Sequence, residues 1–335
     1  MLSPGAADYP MQVDAVQPIM RAMSVSERAL EGEESVYRPT AFLKLVFPAI
    51  AWSFLAPLSA STQHYQPPGT KSGFVTTSDG VKIHYLEAGP RSPAGKARAI
   101  LFVPGWTMPA EIWEHQIAYF GKTHRVVAMD PRSQGESTKT PEGNFPEVRA
   151  RDIKAVIDRL KLAPAVLVGW SMGVMDLAAY VDQFGCAGVA GLVLVDGSAG
   201  RGPDPSDLKA RAEFVQALER DRPKATADFV RSMYRKPQSE EYLQRITRAA
   251  LETPTNTTLA LQLALLTADY RPALAKINKP TLIVVARRPG ASWGEDMHQR
   301  IAGSKLEVME GVGHALFVDA PDRFNKLVED LLKTL

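Results

Sequence analysis

The sequence predicts an α/β protein whose mostly parallel eight-stranded sheet is covered by helices on both faces. Three observations lead to this prediction. Short, almost entirely apolar runs such as 99–103 and 165–168 alternate with helical patterns, which is typical of parallel strands buried on both faces. A G-x-S-x-G motif stands between a strand and a helix. The alternation stops between residues 200 and 279, where the segments are helical, and resumes at Thr281.

The individual elements follow from their apolar patterns. The predicted strands cover residues 73–77, 81–86, 99–103, 125–129, 165–168, 191–195, 281–285 and 306–309. The first two are joined by a Ser78-Asp79-Gly80 turn, as in a hairpin. The predicted helices between and after the strands cover residues 111–120, 148–160, 174–184 and 323–332. The second of these helices is amphipathic, since Ile153, Val156 and Ile157 lie on one face.

The all-helical stretch divides the chain into a core and a cap. Its helical patterns cover residues 207–219, 225–234, 240–251 and 257–266. Because the sheet resumes afterwards, we interpret 200–279 as a helical cap inserted into a core formed by 72–199 and 280–335.

Composition narrows the class of protein. The chain has 335 residues, 45% hydrophobic and 23% charged, with a net charge of +2, which is ordinary for a globular protein. No concentrated basic block attracts nucleic acid, so we predict no nucleic-acid partner. Cys186 is the single cysteine, which excludes an intramolecular disulfide and a cysteine-based zinc cluster.

The N-terminal region differs in composition from the rest. Residues 1–40 mix Pro, Gly, Ser and acids without a period and are predicted to be a disordered leader. Residues 41–60 resemble a signal peptide: Lys44 precedes an uncharged apolar run, and small residues end at Ala60. We therefore expect export to the periplasm or the extracellular space, with cleavage after Ala60.

Two alternatives for this segment stay open. A retained membrane anchor at 41–60 is one, although the run is short and is interrupted by Pro48 and Pro57. A buried or interfacial helix is the other. The leader is long for a signal peptide, which makes Met20 and Met23 alternative starts of the chain.

Ser171 is the candidate nucleophile. The stretch Gly169-Trp170-Ser171-Met172-Gly173 has the strand–Ser–helix context of a nucleophile elbow, in which a tight turn exposes the serine above the sheet edge. A serine hydroxyl needs a base to act as a nucleophile at neutral pH. His314 is the candidate base, because it follows the last strand and lies at the same carboxyl edge of the sheet.

An acid that orients the histidine is predicted with alternatives. Asp196 ends the strand before the cap and lies at the carboxyl edge, although an aspartate there can also cap a turn. Glu295 and Asp296 are the alternatives, since they are the first carboxylates after the strand 281–285. For the oxyanion, the expected donors are the backbone N–H groups of Met172 and Trp106.

These motifs together resemble the α/β-hydrolase superfamily, and within it the serine esterase, haloperoxidase-like and lactonase-like branch with a helical cap. Beyond the elbow and the loop that ends in His314, residues 130–137 resemble that branch's D-x-R-G-H-G-x-S loop, and residues 320–324 its E-x-P-x-x-F tail. The resemblance covers residues 72–335. The chain departs from it at Pro104, where a histidine is usual, and near Pro289, where the acid is usual; some members place the acid one strand earlier, as Asp196 would be.

The resemblance implies a serine hydrolase that cleaves esters through an acyl-enzyme, with no metal or organic cofactor. Ser171 attacks, His314 takes its proton, Asp196 steadies the imidazolium, and water activated by His314 clears the acyl group. A perhydrolase or a carbon–carbon bond hydrolase with the same triad is a second possibility. A hydrolase-fold ligand-binding protein with little turnover is a third.

The expected substrate is a small-molecule ester or lactone with a small to medium apolar acyl group. Gly105 and Trp170, which flank the reaction centre in sequence, are the candidate substrate-binding residues together with Trp106. The cap contributes further candidates, although at helical spacing such residues more often pack the core. They are Phe214, Phe229, Met233, Tyr234, Tyr242 and Leu265.

Overall fold

The computed structural model describes residues 64–91, 98–200, 205–288 and 292–335, all within the unit Ser61–Leu335. The predicted leader 1–40 and the signal-peptide-like segment 41–60 lie outside the described residues, so export stays a prediction. Within the part of the chain that the structure describes, no helix combines the length and apolar character needed to cross a membrane.

Eight strands form one sheet. They are β1 (Lys71–Thr76), β2 (Lys82–Ala88), β3 (Ala99–Val103), β4 (Val126–Met129), β5 (Ala165–Trp170), β6 (Val189–Val195), β7 (Thr281–Ala286) and β8 (Lys305–Met309). Their order is β1-β2-β4-β3-β5-β6-β7-β8. β2 pairs antiparallel with β1 and β4, and every other described pairing is parallel. This confirms the predicted fold class.

Helices alternate with the parallel strands and form the cap. Around the sheet lie α1 (Glu114–Phe120), α2 (Pro146–Arg159), α3 (Met172–Phe184), α9 (Trp293–Arg300), α10 (Leu316–Asp319) and α11 (Pro321–Leu332). Between β6 and β7 the chain forms α4 (Pro205–Arg220), α5 (Arg222–Ser232), α6 (Glu240–Leu251), α7 (Thr255–Thr267) and α8 (Arg271–Leu274). Among the described residues, these helices and one isolated bridge between Gly200 and Asp269 are the regular structure between the two strands, at the place where the sequence predicts the cap.

The structure differs from the prediction in the shortest elements. The predicted helix 111–120 begins as a 3-10 turn, Ala110–Trp113, before α1. The one-turn helices α8 and α10 were not predicted, because four residues are too few to show a helical period. Strand β5 continues through Trp170, whose backbone still pairs with Val195 of β6.

The core lies on both faces of the sheet because side chains of a strand alternate between them. In β5, Ala165 and Leu167 join the apolar layer beneath α2 and α3, whereas Val166, Val168 and Trp170 join the layer beneath α1, α10 and α11. Burial of a valine or leucine side chain such as these stabilises the fold by roughly 1.5–3 kcal/mol. The rigid sheet fixes the carboxyl ends of β5, β6 and β8 at one edge.

Glu111 in the 3-10 turn is a buried carboxyl group with a strongly raised pKa. Burial raises its pKa from 4.5 to about 8, and the nearby Arg245, whose Nε lies 3.9 Å from Oε1, offsets this only in part. Between pH 4.5 and about 8, Glu111 carries a proton in the folded chain that it has lost in the unfolded chain. The free energy of unfolding therefore falls as the pH rises through this window.

We expect Glu111→Gln to stabilise the protein increasingly as the pH rises from 5 to 9. The glutamine is neutral at every pH, so the gain over wild type grows to a few kcal/mol, since one pKa unit corresponds to about 1.4 kcal/mol. Thermal unfolding at pH 5, 7 and 9 measures this. Glu114→Gln is the control, because that carboxylate is held by Arg245 at 3.0 Å and its removal should lower Tm. A gain for Glu111→Gln that does not change with pH would contradict the prediction.

Candidate active site

Ser171 lies on a strained turn between β5 and α3. Its φ of 56° and ψ of −117° are rare for a residue with a side chain. The turn is possible because its flanking glycines approach other backbone closely. A Cβ on Gly169 would lie 2.5 Å from the Gly173 carbonyl oxygen, and a Cβ on Gly173 would lie 2.5 Å from the Val103 oxygen. The serine is thereby presented at the carboxyl edge of the sheet.

His314 reaches Ser171 from the loop after β8. Its Nε2 is 2.8 Å from Ser171 Oγ, which is hydrogen-bond distance. The backbone of this loop is fixed from two sides: Trp170 Nε1 donates to the His314 carbonyl oxygen at 2.9 Å, and Ala315 N–H donates to the Met233 carbonyl oxygen at 2.9 Å. The imidazole is therefore held between the sheet and the cap.

Asp196, at the end of β6, lies behind the imidazole. Its Oδ2 is 2.7 Å from His314 Nδ1, and its Oδ1 accepts the Ala286 N–H at 3.0 Å. The side chain is fully buried, and Arg288 Nη2 donates a further hydrogen bond to Oδ2. Ser171, His314 and Asp196 thus form one continuous hydrogen-bonded line.

The alternative acids lie elsewhere. Glu295 and Asp296 are in the first turn of α9. Asp296 pairs with Arg300 one turn later, at 2.9 Å, and Glu295 is exposed to solvent. Neither makes a described contact with His314, so of the three candidate carboxylates the structure brings Asp196 to this histidine.

The loop after β3 approaches Ser171 through Gly105. A Cβ on Gly105 would lie 2.9 Å from Ser171 Cβ, so the residue must lack a side chain. Gly105 therefore contacts the serine through its backbone. Among the described residues, no acceptor is bonded to the backbone N–H of Trp106 or of Met172, so both donors remain available to an oxyanion.

A buried polar chain holds this loop in place, and the sequence did not reveal it. Gln134 Nε2 donates to the carbonyl oxygens of Gly105 and Met108, at 3.0 and 2.9 Å. Gln134 Oε1 in turn accepts from Arg149 Nη1 at 2.8 Å, and Arg149 pairs with the buried Asp176. The Gly105 oxygen belongs to the same peptide group as the Trp106 N–H. Gln134 therefore fixes the direction in which that N–H points.

Trp170 requires a correction. The sequence predicted contact with substrate, but the side chain is 1% exposed and packs on the sheet. Its ring lies 5.0 Å from the His314 ring and edge-on to Trp113 and Phe317. Odd and even positions of β5 face opposite sides of the sheet, and the tryptophan follows Val166 and Val168 into the apolar layer beneath α1, α10 and α11. It supports His314 from below instead of lining the cavity.

A cavity of about 580 Å³ opens above Ser171, between the core and the cap. Trp106 lines it, and its Nε1 donates to the Thr258 carbonyl oxygen of α7 at 3.0 Å, which ties the cap to the loop after β3. Four of the cap residues considered from the sequence line the cavity: Phe229, Met233, Tyr234 and Leu265. Phe214 packs against Trp106, and Tyr242 against Tyr234, so both support the wall from behind.

Asp319 and Arg288 are two further residues that the sequence analysis missed. The buried Asp319 carboxylate accepts the N–H groups of Gly313, at 2.7 Å, and of Arg235, at 2.8 Å. It thereby joins the loop of His314 to the segment that follows α5. A signal existed for Asp319, which stands two positions before Pro321, where the E-x-P-x-x-F pattern has its acid. For Arg288 the sequence offered no signal.

The comparisons with known proteins agree with this fold. The alpha/beta hydrolase family model matches residues 100–327, and the chain belongs to this family. AB hydrolase superfamily protein YisY of Bacillus subtilis is 29% identical over 244 residues, 70% of this chain and 91% of that protein. The bifunctional esterase/perhydrolase DCH of Acinetobacter calcoaceticus is 40% identical over 124 residues, 37% of this chain and 44% of that protein. An esterase structure from Exiguobacterium antarcticum superposes with a TM-score of 0.71 at 26% identity, covering 78% of this chain and 98% of that chain.

We expect Asp319→Ala to destabilise the protein by roughly 1–3 kcal/mol, because it removes a buried carboxylate that accepts hydrogen bonds from the N–H groups of two segments. Urea unfolding measures the change. Asp322→Ala is the matched control, since that carboxylate is exposed in the first turn of α11 and should change stability by less than about 0.5 kcal/mol. Equal effects of the two substitutions would show that Asp319 does not join the loop to the cap.

Proposed function

We propose that the protein is a serine hydrolase that cleaves carboxylic esters or lactones through an acyl-enzyme on Ser171. The hydrogen-bonded line from Ser171 Oγ through His314 to Asp196, with distances of 2.8 and 2.7 Å, carries this proposal. It supplies a nucleophile, a base and an orienting acid in the geometry that acyl transfer needs. Membership of the alpha/beta hydrolase family supports hydrolase activity in general.

The proposed reaction has two halves. In the first, Ser171 Oγ bonds to the acyl carbon while His314 Nε2 takes the serine proton, and the tetrahedral intermediate collapses as His314 returns that proton to the leaving alcohol oxygen. In the second, His314 takes a proton from water, the hydroxide adds to the acyl carbon, and Ser171 leaves with the proton restored. A lactone follows the same steps, with its alcohol still attached to the acyl chain.

The negative charge of each tetrahedral intermediate would be met by the N–H groups of Trp106 and Met172. Backbone donors that are fixed before the reaction stabilise such charge without reorganisation, and loss of one donor typically costs about 10²–10³ in rate. Gln134 and Arg149 support this role because they fix the Gly105–Trp106 peptide from its carbonyl side. Pro104 at the usual histidine position is compatible with it, since the donors are backbone groups.

The size and lining of the cavity support a small to medium substrate. About 580 Å³ lies in the range of ordinary small-molecule sites. Phe229, Met233 and Leu265 offer one apolar wall for an acyl chain. The lining also includes polar and charged side chains, among them Arg235, Gln262 and Arg288, so the expectation of an apolar acyl group describes only part of the cavity.

Perhydrolysis is a second candidate, favoured by the similarity to the bifunctional esterase/perhydrolase of Acinetobacter calcoaceticus. Hydrogen peroxide would replace water in the second half of the reaction and release a peracid. Product analysis of an ester reaction with added peroxide separates the two outcomes, because hydrolysis yields only the carboxylic acid.

We expect wild type to hydrolyse p-nitrophenyl butyrate and to be labelled by a fluorophosphonate probe, and Ser171→Ala to lose both. The hydroxyl is the atom that bonds to the acyl carbon and to the phosphorus. Ser304→Ala, a serine next to His298 and remote from the cavity, should keep both activities. Wild type that shows neither labelling nor turnover would overturn the proposal and favour a ligand-binding protein.

A further inference from the structure

The cavity above Ser171 has an excess of positive charge. Four arginines line it: Arg211 and Arg235 from the cap, and Arg287 and Arg288 from the loop after β7. Asp196 is the single carboxylate among its described lining residues. We propose that the cavity binds a carboxylate of the substrate, so that the ester or lactone cleaved here carries a carboxylate near the scissile bond. This inference rests on the proposed function of Ser171.

Asp196 and Glu310 supply two negative charges beside the four positive charges of these arginines. Asp196 is fully buried and already accepts hydrogen bonds from Ala286, Arg288 and His314. Arg287 pairs with Glu310 at the solvent-facing rim, where the two side chains are 62% and 72% exposed, and such pairs are weak. The Arg235 side chain is exposed and has no acidic partner among the described residues. A cleft of one charge sign attracts ligands of the opposite sign.

Arg288 contacts the proposed catalytic residues directly. Its Nη2 is bonded to Asp196 and lies 3.3 Å from His314 Nδ1, and its Cζ lies 5.5 Å from the Trp293 ring. No described residue accepts a hydrogen bond from its Nε or Nη1, and the side chain is 37% exposed. A guanidinium presents several N–H donors in a rigid fork that matches a carboxylate. One edge of this fork is used by Asp196, and the rest can face the cavity.

The location of Arg288 has a topological reason. It lies in the loop after β7, next to Pro289, where the related enzymes usually carry the acid of the triad. Here the acid comes from β6, so the loop after β7 is not needed to orient His314. An arginine there faces the substrate cavity instead, and its bond to Asp196 holds it in one orientation.

The distance to the reacting atoms suits a short linker. A single imidazole ring separates Arg288 from Ser171: Nη2 is 3.3 Å from Nδ1, and Nε2 is 2.8 Å from Oγ. A carboxylate bound to Arg288 would therefore lie only a few bonds from the acyl carbon. Arg235, which also lines the cavity, belongs to the cap and lies beside Gly313, where a Cβ on this glycine would be 2.8 Å from Arg235 N. A bound carboxylate would be contacted from the core and from the cap.

Matched pairs of esters that differ only in a free or methyl-capped carboxylate test the proposal. In the first pair, p-nitrophenyl hydrogen adipate and p-nitrophenyl methyl adipate, the free or methyl-capped carboxylate belongs to the acyl part of the ester. In 4-acetoxybenzoate and its methyl ester it is on the leaving side. We expect wild type to favour the free carboxylate in at least one pair by about tenfold or more in kcat/KM, which corresponds to one charge-assisted hydrogen bond. The preference should weaken with salt.

Substitutions of the arginines distinguish loss of carboxylate recognition from a general loss of esterase activity. Arg288→Gln also touches Asp196, so it should slow both esters of a pair, and the ratio between them is the readout. We expect this variant to abolish the preference and Arg235→Gln to reduce it a few-fold. Arg231→Gln is the control, because that arginine is exposed, pairs with Glu240 and does not line the cavity. An unchanged ratio in Arg288→Gln, or no preference in wild type, overturns the carboxylate site while the esterase stands.

Binding to the inactive chain tests the carboxylate site independently of turnover. Calorimetric titration of Ser171→Ala with adipate should show binding that dimethyl adipate lacks and that Arg288→Gln removes. If wild type cleaves no ester and reacts with no fluorophosphonate, the proposed hydrolase fails, and this titration still decides the carboxylate site. Absence of adipate binding would overturn it.

Discussion

The hydrogen bond between the buried Asp196 carboxylate and His314 Nδ1 is the contact on which the arrangement of the site depends. Ser171 is positioned by the strained turn after β5, but its hydroxyl needs an imidazole at the correct angle. That angle is set by Asp196, which is fixed by the Ala286 N–H and by complete burial. At 2.7 Å this bond selects the tautomer with its proton on Nδ1, and Nε2 is left to accept from Ser171.

The parallel sheet makes this arrangement possible with few local adjustments. Ser171, Asp196 and His314 follow β5, β6 and β8, whose carboxyl ends share one edge. The cap then closes the site from above, through the Trp106 bond to Thr258 and through Asp319. Buried polar side chains behind the site hold the loops that line the cavity. The positions of the site residues therefore depend on residues behind them: Gln134 holds the loop of Gly105, and Trp170 holds the loop of His314.

Most of the fold could be predicted from the sequence because buried parallel strands and amphipathic helices leave strong patterns. The one-turn helices α8 and α10 left none. Ser171 and His314 could be predicted because they stand in motifs whose glycines allow tight turns of the backbone. The structure brings the two side chains together. The sequence leaves the identity of the acid open, because an aspartate at a strand end can either orient a histidine or cap a turn. Only the three-dimensional position of His314 distinguishes Asp196 from Glu295 and Asp296.

Residues whose function depends on contacts far apart in sequence could not be found in the same way. Gln134 lies 29 residues from the Gly105 oxygen to which it donates, and Arg288 lies 92 residues from Asp196. The side-chain direction of Trp170 differs from the prediction, because a residue next to Ser171 in sequence need not face the cavity. Strand alternation, continued two residues beyond the predicted end of β5 at Val168, places it on the same core face as Val166 and Val168.

The central claim is that the acid of the site comes from β6 and orients His314. Steady-state hydrolysis of p-nitrophenyl butyrate by Asp196→Asn and by Asp296→Asn tests it most directly. We expect Asp196→Asn to lower kcat by roughly 10³–10⁴-fold, because the amide favours the wrong imidazole tautomer, while Asp296→Asn stays near wild type. Full activity of Asp196→Asn, or a loss confined to Asp296→Asn, would contradict the account.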